Sequence, residues 1–379
     1  MTTHPQPWIV VVGAGLGGLT LAAVLHRHGV PVVVLDRDDG PHARVQGGML
    51  DLHEESGQAA LRAAGLEEAF RAQVLPGGEA MRVLDPAGCV LHAEEDDGDG
   101  DRPEIQRETL RDLLLAALPR GTVRWAAAVR TVRALGDGRH EVVLGAGETL
   151  VADLLVGADG AWSRVRALLS DAEPAYSGVA FAATRLREVD VRHPVPAAVV
   201  GAGLMFALGD HRGFIAHREP GATLEVYAAL RVDDPAEMAR LAAGGGLLAR
   251  FDGWAPALRS LITEADEPFV PRAIHALPVG HAWEHRPGVT LLGDAAHVMS
   301  PFAGEGANLA MQDAADLAAA LLAHGVGTAA GRERAIADHE AAMVPRAAAA
   351  AAESAANLDL AFGPDGGHAL RDVMASHHG

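Results

Sequence analysis

Apolar residues recur along this chain at two spacings, and their order predicts an α/β fold. Residues 8–12 form a short apolar run that reads as a buried parallel strand. Leu16, Leu19, Leu21, Ala22 and Leu25 then keep a helical period up to Gly29, which suits a C-cap. A second apolar run, 32–35, ends in Asp36. Residues 54–64 predict a helix closed by Gly65, and 76–100 read as strands and turns around two Pro/Gly clusters. Residues 107–118 predict an amphipathic helix with leucines at 110, 113, 114 and 118. Short strands are expected near 122–130, 140–144 and 149–156. From about 175 to 270 the pattern is strand-like, as at 213–217 and 224–231, and helical stretches at 235–243 and 247–262 interrupt it. A buried strand at 289–292, a loop at 299–305 and a long helix at 307–322 follow. The alanine-rich run 338–356 is helical by propensity, and the residues after Gly363 read as loose.

The first strand–helix junction carries chemistry. Gly13, Gly15 and Gly18 fit the G-x-G-x-x-G spacing, with Leu16 inside the loop. The first glycine permits the tight turn, the second lets backbone approach a pyrophosphate, and the third allows helix to pack closely on strand. Asp36, next to Arg37, closes the second strand where a carboxylate accepts hydrogen bonds from an adenosine ribose. Residues 200–206 also begin G-x-G, but Phe206 replaces the third glycine and no amphipathic helix follows. That segment reads as a turn and strand of a second domain. No separate nicotinamide-binding Rossmann unit is expected.

Composition narrows the class. With 379 residues, 49% apolar and 21% charged, the chain has the makeup of a soluble globular protein. No apolar stretch approaches the roughly 20 residues that span a bilayer. The N-terminus lacks a basic region and leads directly into the first strand, so no signal peptide is expected and the default location is cytoplasmic. Cys89 is the single cysteine, which leaves no intramolecular disulfide and no thiolate metal cluster. A net charge of −19 argues against nucleic acid and anionic membranes as partners. The acidic run 94–101 lacks EF-hand spacing and reads as a solvated loop. His281 and His285 have a helical metal spacing, but Pro287 and the following strand oppose a helix, so no metal is expected.

Two further motifs extend the glycine fingerprint: Ala-Asp-Gly-Ala-Trp-Ser-Arg-Val-Arg at 158–166, and Gly-Asp-Ala-Ala-His at 293–297 followed by Pro-Phe-Ala-Gly-Glu-Gly-Ala-Asn at 301–308. In this order the chain resembles the FAD-dependent aromatic monooxygenases related to para-hydroxybenzoate hydroxylase. It looks most like the tetracycline-inactivating flavin monooxygenases, over nearly its whole length. The resemblance implies a Rossmann-like FAD-binding domain (1–75, 101–174 and 271–340), a β-sheet-based substrate domain (76–100 and 175–270), and a C-terminal helix and tail (341–379). FAD would be the cofactor, with NADPH and O2 as co-substrates and oxygen transfer through a flavin C4a-hydroperoxide.

Within that frame Asp294, at the end of a buried strand, suits ribityl hydroxyls better than a neutral acceptor would. Its other reading, a helix N-cap, is opposed by Pro301 and two glycines, which postpone the helix. Gly304 and Gly306, with Ala307 and Asn308 opening a helix, can aim N–H groups at the N1–C2=O edge of the ring, where reduced flavin is negative. Pro301 would sit beside the ring. By resemblance, Arg107 reaches the FAD phosphates or ribityl chain and Asp159 links the pyrophosphate region to the nicotinamide approach. Arg44 would contact NADPH and Asp51 FAD, on the match of the loop 44–53. No catalytic acid or base is named, because the flavin carries the reactive oxygen.

Met205, Phe206, Phe214, His217 and Tyr227 are candidate substrate-pocket residues, and His217 and Arg212 are the side chains of that region that come nearest to a catalytic acid or base, without being assigned as one. The segments 181–184 and 204–206 are apolar where the tetracycline-inactivating enzymes have polar anchors, which favours a less polar polycyclic or phenolic substrate. The expected assembly is a monomer, with a role in resistance or in biosynthesis. A flavin halogenase would need a W-x-W-x-I-P segment that this chain lacks. A non-oxygenating FAD reductase or dehydrogenase and a drug-sequestering flavoprotein would both keep every cofactor motif.

Overall fold

The computed structural model describes residues 9–43, 47–96, 98 and 101–377. Trp8, Arg44 and part of the acidic run lie outside them. The expected strand–helix–strand unit is Ile9–Val12, Leu16–Arg27 and Val32–Leu35. These strands belong to a five-stranded parallel sheet in the order Val289–Leu291, Leu154–Gly157, Ile9–Val12, Val32–Leu35 and Val123–Arg124. Both of its faces are covered, which explains the continuous apolar runs. The faces are packed by two separate apolar clusters, one centred on Leu19, Leu21 and Leu317, the other on Val10, Leu155 and Leu291.

The second sheet has seven strands, in the order Val270–Ala276, Ala175–Leu186, Thr223–Arg231, Arg212–Glu219, Leu204–Gly209, Met81–Leu84 and Val90–Glu94. The fold is therefore mixed α/β, with parallel and antiparallel sheets and C-terminal helices, as the periodicity implied. The segment 200–206 does supply a turn and a strand of the large sheet. The expected domain limit at 271 falls inside the strand Val270–Ala276, and the limit at 341 falls inside the helix Ala329–Ala361.

Three elements differ from expectation. The helix expected at 247–262 is broken into a short turn, Leu248–Phe251, and the helix Pro256–Thr263, because Pro256 starts a new first turn. A single turn, Asp294–His297, begins directly after its strand, so helix onset is not postponed to residue 306. The residues after Gly363 are not loose: Gly366–His377 is a helix that packs on the strands Met81–Leu84, Val90–Glu94 and Leu204–Gly209. Its Gly366 and Gly367 permit that approach, since a Cβ at Gly367 would stand 2.8 Å from the carbonyl of Leu208.

A buried ionic knot joins the turn after the strand Val289–Leu291 to two helices. The Asp313 carboxylate, with no solvent exposure, accepts from the Gly293 N–H at 3.0 Å, faces His297 Nε2 at 2.6 Å and accepts from Arg346 Nη2 at 2.9 Å. It thereby ties the 293–297 motif to the helices Gly306–His324 and Ala329–Ala361. Burial would raise the Asp313 pKa, but His297 and the Gly293 N–H override it and hold the carboxyl at about 2. The same pairing raises His297 above its ordinary value despite its burial.

Asp313→Asn keeps the shape and removes the anion, leaving the buried His297 without its carboxylate, while Arg346 keeps Asp316 at 3.0 Å. Urea unfolding should show a loss of about 3–5 kcal/mol. The sign with pH follows from each shift. Asp313 contributes in full above its unfolded pKa of 3.8 and loses that contribution as pH falls through about 2. His297 contributes below 6.5 and loses its contribution as pH rises through its elevated folded pKa.

Candidate active site

Between the glycine loop and the large sheet lies a cavity of about 910 Å³. The three fingerprint glycines serve it in different ways. Gly13, at φ +109°, could hold no side chain: a Cβ there would stand 2.1 Å from the carbonyl of Ala158. A Cβ at Gly18 would stand 2.1 Å from the carbonyl of Gly13. A Cβ at Gly15, by contrast, would meet nothing within 4 Å, because that position faces the cavity. Gly13 and Gly18 thus build the loop and Gly15 keeps its front open. Leu16 turns into the apolar core below.

Asp36 borders the cavity from the end of its strand. Its Oδ2 accepts the Ala14 N–H at 2.7 Å and its Oδ1 the Asp38 N–H at 2.9 Å, so the carboxylate is fixed with lone pairs to spare. Arg37 lines the same wall. At the other side stand Arg107 and Asp294. The Arg107 backbone N–H donates to Gly48, but its guanidinium has no hydrogen-bond or ion-pair partner among the described residues. Desolvation lowers its pKa, and the charges of Asp294 and Tyr227 act in the opposite direction. Asp294 is exposed toward the cavity and does not cap the turn it begins.

Other expected contacts have more local tasks. Asp159 lines the cavity, yet its carboxylate accepts from Ser163 Oγ at 2.5 Å and from the Arg164 N–H at 2.6 Å, closing its own turn. Burial pushes its pKa up. Asn308 is fully buried: its Nδ2 donates to the Asp51 carbonyl at 2.9 Å and its Oδ1 accepts the His53 N–H at 3.0 Å. Its side chain therefore joins the 51–53 segment to the helix Gly306–His324. Pro301 and Gly304 are exposed, Gly304 at φ +69°, and Gly306 and Ala307 open that helix without a side-chain cap. His281 and His285 lie outside any helix and bond to separate groups, and no cluster of three metal-ligating side chains occurs among the described residues.

Strand pleating sorts the pocket candidates. Phe206, Ile215 and Tyr227 stand in register across three strands and share the face toward the long helix and the cavity side. His217 shares that face by the same alternation, and it is held by Glu104 at 2.7 Å. Met205 and Phe214 point the other way. They are fully buried in the core under the outer helices, where Phe214 stacks on Phe251 with centroids 4.2 Å apart. Assigning them to the pocket with Phe206 is therefore corrected by the two-residue period of a strand. Arg212 is likewise occupied, by Asp210 at 2.6 Å and the Arg250 carbonyl.

The apolar wall expected from 181–184 and 204–206 is also corrected. Arg185, Glu225, Tyr227, Glu267 and Arg272 all line the cavity. Arg185 and Glu225 are directly opposite each other across two strands and form a buried ion pair. Burial and Glu225 together push Glu219 above the ordinary carboxylate range. Arg111 was missed as well. Its Nε donates to the Ala14 carbonyl at 3.1 Å and its guanidinium lies 5.2 Å from the Trp125 ring, so it holds the glycine loop from behind. Its i, i+4 spacing from Arg107 was the available signal.

Among the described residues the cavity wall carries five arginines (37, 107, 164, 185, 272) and five acids (36, 159, 225, 267, 294). It is locally balanced in a chain of net charge −19, which suits a long ligand with anionic and hydroxylated parts. An open Gly15, an unpartnered Arg107 and an exposed Asp294 fit a dinucleotide that runs from ribose to polyol.

Residues 8–219 and 279–352 match the family described as FAD binding domain. The chain is 33% identical to the monooxygenase asqM of Emericella nidulans over 367 residues, 82% of each chain. It resembles in fold the HpxO of Klebsiella pneumoniae, crystallised with FAD and uric acid, at 21% identity and a TM-score of 0.77, over 98% of this chain and 92% of that one. The tetracycline destructase Tet(51) has the same fold at 20% identity and a TM-score of 0.70, over 94% of this chain and 92% of the other.

The two kinds of glycine predict opposite results. Gly15→Val, at an extended φ of −79°, should leave the thermal midpoint nearly unchanged and weaken FAD binding at least about ten-fold by filling the cavity. Gly13→Ala should cost more than about 2 kcal/mol in urea unfolding, since strain and a backbone clash add.

Proposed function

The chain belongs to the FAD binding domain family of class A flavin monooxygenases, and within it we propose an NADPH- and O2-dependent hydroxylase of a polycyclic or phenolic small molecule. The observation that carries this reading is a single cavity bordered by the glycine loop and Asp36 on one side and by the strand face of Tyr227, Arg185 and Arg272 on the other. Cofactor and substrate surfaces meet there. The relatives support it: a monooxygenase, a protein crystallised with FAD and uric acid, and a tetracycline destructase.

In this reading Asp36 accepts the adenosine ribose hydroxyls, and the loop around Gly15 lies against the pyrophosphate. Arg107 and Asp294 hold the ribityl chain. Gly304, Gly306 and Ala307 receive the pyrimidine edge of the ring with helix N–H groups, and Pro301 lies alongside. Asp51 supports that edge through the turn, Arg37 and Asp159 face the dinucleotide, and Arg44 contacts NADPH. Bound FAD would supply the redox chemistry, with two electrons from NADPH, one atom of O2 going to the substrate and the other leaving as water. The protein's own task is to orient the substrate and keep water out.

The polar part of the wall refines the substrate. Arg185 is paired with Glu225, whereas Arg272 has no partner among the described residues, so Arg272 is the group free to meet an acidic hydroxyl or enolate. Tyr227, two strands away on the same cavity wall, supplies flat apolar surface. A fused aromatic or polyketide ring bearing an acidic oxygen satisfies both.

The test is mass spectrometry of a phenolic and polyketide panel, tetracycline included, after incubation with protein, FAD, NADPH and air. One added oxygen in a panel member, dependent on NADPH, is the expected result. NADPH consumption with H2O2 as the only product across the panel would count against oxygenation. In the active case Arg272→Met should raise KM about ten-fold or more with FAD content unchanged.

A further inference from the structure

A buried histidine that the proposed reaction does not use fastens the Gly304–Gly306 turn from behind. His53 follows the strand Met49–Asp51 and is 5% exposed. Its Nε2 lies 3.1 Å from Asp51 Oδ2 and its Nδ1 3.3 Å from Glu305 Oε1. Its backbone N–H donates to Asn308 Oδ1 at 3.0 Å, and Asn308 Nδ2 donates to the Asp51 carbonyl at 2.9 Å. The Asp51 carboxylate in turn reaches 3.8 Å from where a side chain at Gly304 would begin. One ring and one amide therefore clamp the strand end, the turn and the first turn of the helix Gly306–His324 together.

Both ring nitrogens face carboxylates, so both must donate, and the ring is a cation. Asp51 and Glu305 push its pKa up to about 9, against burial and the charge of Arg102. Among the described residues Glu104 faces the cluster, opposite Asp51 in strand register and held by His217 at 2.7 Å, and so does Arg102. It lies 3.9 Å from Asp51 and its side chain is mostly exposed, so its charge is well screened.

We propose that His53 is a positioning residue for the flavin: a fixed imidazolium that seats the Gly304–Gly306 turn and cancels carboxylate charge beside the N1–C2=O edge. The inference rests on the placement of that edge at the start of the helix Gly306–His324. Reduced flavin is negative there. With a neutral side chain at 53, Asp51 and Glu305 would oppose that charge, and the screened Arg102 would offset them little. The reduced form would then be disfavoured.

The experiment is anaerobic measurement of the midpoint potential of bound FAD in wild-type and His53→Gln holoprotein from pH 6 to pH 10. The variant should be more negative at neutral pH, and the gap should close as the wild-type ring loses its proton near pH 9. Glu305→Gln should shift the potential in the positive direction and move the wild-type inflection to lower pH. A gap equal at every pH, or no gap, would overturn the electrostatic role, since a purely structural clamp predicts no such convergence. Should His53→Gln not fold, a wild-type potential without an inflection that responds to Glu305→Gln would overturn it equally. Wild-type protein that retains no flavin would overturn the flavin placement itself, a failure distinct from a bound flavin insensitive to residue 53.

Discussion

The Asp313 carboxylate is the interaction on which the rest of this molecule depends. It is an anion without solvent contact, and its partners are two groups of the 293–297 turn and Arg346 of the helix Ala329–Ala361. Through the Gly293 N–H it orients the turn that presents Asp294 to the cavity. Through Arg346 it fixes the helix Ala329–Ala361, which runs on to the second sheet. There Ser354 bonds to Ser300 and Asn357 Nδ2 donates to the Phe302 carbonyl at 2.9 Å. Phe302 and Phe362 then pack against the apolar end of the large sheet. One buried charge thus links the turn that carries Asp294 to the helix that packs against the large sheet. Such a knot tolerates no half measures, because a desolvated charge is stable only while all its partners stay in place.

The cofactor wall was legible because its determinants are local. Gly13 and Gly18 are required by backbone contacts within a few residues of the loop or with the adjoining strand, and an extended run ending in Asp36 needs only a neighbouring strand to place it. The substrate wall was not legible to the same degree. Its residues alternate between two faces, so Met205 and Phe206 share a strand and a character yet serve opposite sides. Which parity faces the cavity depends on strand register, and composition does not encode that. The Arg185–Glu225 pair joins positions 40 apart, and neither residue stands in a motif. The last helix, Gly366–His377, was missed for a related reason. Its support is tertiary, two glycines laid against sheet edges, with little in the local sequence to announce it.

Charge distribution connects fold to chemistry. A chain of net charge −19 repels anions at long range, yet the cavity wall balances five arginines against five acids. The arginines do different work. Arg111 is spent on the Ala14 carbonyl and Arg185 on Glu225, and these hold the walls. Arg107 and Arg272 have no partner among the described residues and stand at the two walls, one on the cofactor side and one on the strand face. Fixed groups define the cavity and unpaired ones await ligand, a division that a preorganised site requires.

The central claim is that this one cavity holds an extended FAD between Asp36 and the Arg107–Asp294 pair. A crystal structure of the FAD-loaded protein tests it most directly. The account predicts adenosine ribose on Asp36, pyrophosphate over Gly15, and the ribityl chain between Arg107 and Asp294, with the ring edge at Gly304 to Ala307. Flavin density that leaves Arg107 and Asp294 without contact, or that lies outside the cavity, would contradict it.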